Sequence, residues 1–150
     1  MEASSALPEQ PRIEFFVVAD WAESVNGKLY LMGGGFDSFF AQEFPFAHRF
    51  SFAAVFRVPW ADTNRRFPVV GVLETLDGNE LGWKMEGEAE AGRPAGVRAG
   101  QDVSMTIAGP VQFQVEEPTA FMLKLTFAGD ERSIPLRVME APFQMRPPRR

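Results

Sequence analysis

Chemistry in this chain must come from carboxylates, hydroxyls and one imidazole, because its 150 residues include no cysteine. Disulfides, thiolate metal sites, iron–sulfur clusters and thiol nucleophiles are thereby excluded. His48 is the single histidine. A hydrolytic triad needs a histidine held by a carboxylate beside a nucleophile. Ser51 stands three positions further on, and along a strand that spacing sends the two side chains to opposite faces. No Gly-x-Ser-x-Gly elbow occurs. Glu86, Glu88 and Glu90 are the kind of carboxylates that glycosidases pair. They fall at the edge of a Gly-, Ala- and Glu-rich stretch, 87–100, which reads as a mobile loop and a poor place to preorganise an acid and a base. The expectation is a non-enzyme with no catalytic residues and no cofactor.

Oxygen donors offer a different chemistry. Asp20, Glu23, Asn26, Asp62, Asn64 and Asp130 would meet at one end of a β-sandwich if the chain from Leu29 to Phe40 were one bent strand. Loops 20–27, 59–66, 91–100 and 129–132 would then cluster, and calcium takes six to eight oxygens from sites of this kind. Arg65, Arg66, Arg93, Arg98 and Arg132 crowd the same end and would neutralise the carboxylates. Asn and Asp also sit in turns for backbone reasons. Loop-end calcium is therefore a minor variant. It fails if the triple glycine is itself a turn.

The elements that must position these residues are strands. Phe15 to Asp20, the turn Asn26-Gly27, Leu29 to Met32 and the break Gly33-Gly34-Gly35 spell a β-hairpin, since Asn-Gly tolerates positive φ at both positions. The glycines read as a bulge or bend. A phosphate cradle would open a helix, and none follows. Alternation then marks strands at Phe50–Val58, Phe67–Leu76, Glu80–Met85, Val103–Val115, Phe121–Phe127 and Ile134–Val138, with turns at Asp77-Gly78 and Gly129-Asp130 and a bulge at Gly109-Pro110. About eight strands with turns roughly every ten residues and no amphipathic helix predict an all-β antiparallel sandwich, immunoglobulin-like or C2-like. A single domain is expected over 13–140, between a disordered segment, 1–12, and a flexible Pro/Arg tail, 141–150.

Ala19-Asp20, Asn26-Gly27-Lys28-Leu29-Tyr30 and Gly33-Gly34-Gly35, with the looser Phe121-x-Leu123-x-Leu125 and Ile134-Pro135-Leu136-x-Val138, resemble a family of uncharacterised bacterial proteins common in actinobacteria. The resemblance spans about 13–140. It implies a β-sandwich and carries over no catalytic residue.

Composition narrows the partners. Fifteen Phe stand against one Tyr and three Trp, so most rings belong in a core or an interface. The net charge is −5, and three of the positives, Arg146, Arg149 and Arg150, lie in the last five residues. An acidic body lacks the basic footprint that nucleic acid needs. The start, Met1-Glu2-Ala3-Ser4, has no basic leader or apolar run, so no signal peptide is expected. No window reaches the ~18 apolar residues of a membrane span. A cytoplasmic protein is expected. Its leading function is protein interaction or self-association, with Trp60, Phe40, Phe44 and Phe46 as exposed anchors and an edge strand open for pairing. The alternative is a small-ligand or carbohydrate-binding sandwich, in which Trp21, Trp60 or Trp83 stacks on the ligand.

Overall fold

A computed structural model describes residues 9–142. Most of the expected N-terminal segment (1–8) and the tail arginines Arg146, Arg149 and Arg150 lie outside the described residues. Nine strands follow in order: β1 (Arg12–Val25), β2 (Lys28–Gly34), β3 (Ser38–Ala41), β4 (Phe46–Val58), β5 (Arg66–Thr75), β6 (Glu80–Glu90), β7 (Val103–Val115), β8 (Thr119–Phe127) and β9 (Asp130–Glu140). One sheet has the order β2-β1-β4-β7 and the other β3-β9-β8-β5-β6. Two packed sheets make the expected β-sandwich. Every pairing is antiparallel except β3 with β9, which is parallel.

Alternation sets the core. On β4, Phe50, Phe52, Ala54, Phe56 and Val58 point inward, and on β8 Phe121, Leu123, Leu125 and Phe127 meet them. Phe56 and Phe127 stack at 4.0 Å between centroids. Each such side chain contributes about 1.5–3 kcal/mol through burial. Phe36, Phe39, Phe50, Phe113 and Phe121 form an edge-and-face cluster towards the other end, which accounts for much of the unusual Phe content.

Three local expectations are corrected. The triple glycine is neither a bulge in one long strand nor a hairpin turn. β2 ends at Gly34, and the chain crosses to the other sheet before β3 starts. Gly35 N–H donates to Val18 C=O at 2.9 Å as it leaves. Pro110 causes no bulge, because it faces Ser51 in unbroken register on an edge strand, where a missing N–H is tolerated. Glu86, Glu88 and Glu90 are not in a loop. They belong to β6, registered against Val70, Pro68 and Arg66 of β5.

Candidate interaction surface on the first hairpin

β1 is longer than its sequence pattern suggests, and its second half does something different from its first. From Arg12 to Ala19 it pairs with β4, with a bulge at Glu14. From Trp21 to Val25 it pairs only with β2. The β1–β2 ribbon closes through Asn26 and Gly27, both at positive φ (51° and 72°), which is the turn that suits the strand twist.

The ribbon lies on the outer face of its own sheet. Ser51 and Ala53 point away from the core, yet they are 4% and 0% exposed. Ala19, Ala22 and Ala53 form a small cluster with Val17, Leu29 and Ala108 packed against it. Ser24 Oγ shares a hydrogen bond with Thr106 Oγ1 at 2.5 Å and donates to Thr106 C=O at 3.3 Å. Small side chains on both layers let the backbones approach closely. Gly33 serves the same bend. Its φ is +66°, and a Cβ there would collide with the Asp20 carboxylate.

Laying one ribbon face on the sheet turns the other outward. In the ladder Trp21 faces Met32 and Glu23 faces Tyr30, while Val25 faces Lys28, so these six side chains share the outer face. Trp21 is 53% exposed, Tyr30 52%, Met32 72% and Val25 43%. Of the eight exposed large hydrophobics among the described residues, five (these four and Leu31) lie between residues 21 and 32. Single exposed hydrophobics are ordinary, but a contiguous cluster marks a contact surface.

The residues expected to carry a site are distributed otherwise. Asp20, Glu23 and Asn26 lie on the ribbon that crosses the outer face of the first sheet, whereas Asp62, Asn64 and Asp130 sit beside the end of β4 and the starts of β5 and β9. Residues 20–25 are strand rather than loop, and Ser24 is bonded to Thr106, a β7 residue registered against Val55 of β4, so this segment packs on a sheet face and is not an end loop. Asp62 pairs with Arg65 at 2.8 Å, and Asp130 accepts the Ile13 N–H at 2.9 Å beside Arg132. Asn64 takes φ +59° and donates its N–H to Ala91 C=O, a backbone role. Among the described residues no three His, Cys, Asp or Glu side chains are grouped to hold a metal.

Phe44 and Phe46, expected as exposed anchors, instead pack against the main core cluster. Trp60 is covered by the Arg93 guanidinium, 3.8 Å above its ring. Phe40 is open on β3. Trp83 packs edge-on against Phe52 between the sheets, so the three tryptophans do not converge. His48 stacks on Phe46 at 5.6 Å, while Ser51 lies under the ribbon. Sequence reasoning read Trp21 as part of a loop. The paired apolar positions on either side of Asn26-Gly27 were the signal that both arms extend to the turn.

A space of about 560 Å³ between the sheet edges is lined by His48, Arg49, Leu81, Gln112, Phe113 and Gln114. That volume suits a small ligand, and no tryptophan lines it. Among the described residues no helix is long and apolar enough to cross a membrane.

The chain belongs to a family of unknown function (DUF6941), whose profile covers residues 14–139, the span from the β1 bulge to the penultimate residue of β9. No curated protein and no solved structure matches it.

Proposed function

We propose that the chain is a non-enzymatic protein-interaction module that presents the outer face of the β1–β2 ribbon to a protein partner. The observation that carries this reading is the clustering of Trp21, Tyr30, Met32 and Val25 on one open face. Aromatic and Met side chains of this kind serve as interface anchors. The net charge of −5 favours a protein over a nucleic acid.

The test compares two variants of equal standing. Trp21→Ser with Met32→Ser strips the ribbon face, while Lys84→Ser with Glu88→Ser strips charge from the outer face of the second sheet. In affinity capture with the full chain, the first pair should abolish partner recovery and the second should not. Anchor residues of this type each contribute at least ~2 kcal/mol to binding, about 30-fold in Kd. Equal recovery by both variants would overturn the reading.

A small-ligand or carbohydrate-binding sandwich is the second reading, and the cleft beside Arg49, Gln112 and Gln114 is the observation that favours it. Saturable perturbation of the cleft's backbone amides by a mono- or disaccharide, lost in Gln112→Ala, would support it.

A further inference from the structure

Resting on the interaction-module reading, we propose that the partner at the ribbon is a second copy of this chain, joined by antiparallel pairing of the two β2 strands. β2 ends its sheet, pairs only with β1 and is exposed at every position but Leu29. Its outer row of N–H and C=O groups is therefore open to another strand.

The other three sheet edges carry the devices that prevent such pairing. β7 has Pro110 in its middle. β3 is four residues long. β6 is lined by Glu80, Lys84, Glu86, Glu88 and Glu90. β2 has no proline, no carboxylate and a single charge, Lys28, at its beginning. Short strands, prolines and charges are the usual blunting of an edge, and β2 alone lacks them.

The sequence of β2 is also complementary to itself. With Leu31 opposite Leu31 of the copy, Tyr30 meets Met32 of the copy and Met32 meets its Tyr30, an isologous two-fold contact. Thioether against aromatic ring is a favourable pairing. Lys28 then faces Gly34 of the copy, so no like charges oppose each other. On both faces the register covers apolar side chains that the monomer leaves in water.

The cysteine-free chain makes the register directly testable. In Leu31→Cys the two thiols would stand opposite each other, with Cα atoms roughly 4.5–5.5 Å apart, inside the span of a disulfide. In Lys28→Cys they would be offset by six residues, about 20 Å at ~3.3 Å per residue. Mild oxidation should cross-link Leu31→Cys at least about tenfold faster than Lys28→Cys, because only the first meets the disulfide geometry. Sedimentation should give a dimer for the natural chain and monomers for Leu31→Lys and for Leu31→Glu. An equimolar mixture of those two variants should recover the dimer. Circular dichroism checks that each variant is folded, and the cysteine pair keeps the test alive if a charged variant is not.

Equal cross-linking rates, or a natural chain that stays monomeric at every concentration, would overturn self-pairing. If a monomeric chain still captures a protein partner through Trp21 and Met32, only the second copy is wrong. If capture ignores those residues, the interaction-module reading itself fails.

Discussion

The two outer faces of this sandwich are built on opposite principles. On the β8–β5–β6 sheet, alternation puts charge outside. Lys124 reaches Glu74 at 3.4 Å and Glu131 at 3.8 Å, Lys84 reaches Glu86 at 3.0 Å, and Arg66 reaches Glu90 at 3.4 Å. Water covers that face. On the other sheet the corresponding positions near the middle are Ser51, Ala53 and Ala108, and the chain covers them with its own β1–β2 ribbon. The apolar surface is then moved one layer outward, to Trp21, Tyr30 and Met32. Small residues on an outward-facing row thus mark a face meant for coverage by chain rather than by solvent.

Enlarging the covered row should break the contrast most strongly. Ala53→Leu has no room under the ribbon and should cost about 1–3 kcal/mol by overpacking. Thr126→Leu, outward on β8 opposite Val70, should stay within about 0.5 kcal/mol. Urea unfolding of both reads the difference, and equal costs would mean that the ribbon does not press on β4. Gly33→Ala comes next. Its positive φ alone costs roughly 1 kcal/mol or more in a non-glycine residue, and its Cβ meets Asp20. Adding Asp20→Ala should recover the steric part and leave the backbone part.

The solvated face should respond least to single changes. Lys124→Met removes two ion pairs that are partly exposed, so a loss of no more than about 1 kcal/mol is expected. That loss should shrink further in 1 M salt, where the screening length is about 3 Å. A larger, salt-independent loss would show that the charges there hold the sheet rather than solvate it.

The sandwich was legible because period-two alternation and turn residues speak directly to strands. The Asn26-Gly27 turn, the inner faces of β4, β7 and β8 and the layer architecture all followed from local pattern. What local pattern could not supply was the destination of each strand. Nothing in Gly33-Gly34-Gly35 distinguishes a bend within a sheet from a crossing between sheets, and nothing in the pattern of 20–25 says that this arm folds over a sheet face rather than closing an end of the sandwich. The glutamates of 86–90 were misplaced because Gly and Ala weaken β propensity, whereas registered pairing with β5 decides the outcome. Phe44 and Phe46 show a similar limit. Composition announces that aromatic rings will be buried but does not say which ones remain outside.

A single strand contains the whole contrast, and its far end yields the gentlest test. Along the outer row of β4, Ser51 and Ala53 lie under the ribbon, whereas Arg57, beyond its reach, is charged. Arg57 donates two hydrogen bonds to Glu14, at 2.9 and 2.8 Å, and Glu14 is the extra residue of the β1 bulge. These bonds hold the Glu14 carboxyl below the usual carboxylate range, with the nearby positive charge of Arg57 acting in the same direction. A depressed carboxyl pKa adds stability that is complete above the unfolded value, about 4.3, and is lost as pH falls through the folded value. The stability gap between the natural chain and Glu14→Gln should therefore be constant from pH 7 to about 5 and close below about 4.3. Because both side chains reach solvent, the gap should be small and reduced by salt. A gap that widened on acidification would mean that the pair is not formed, and that charge on β4 does not begin where the ribbon ends.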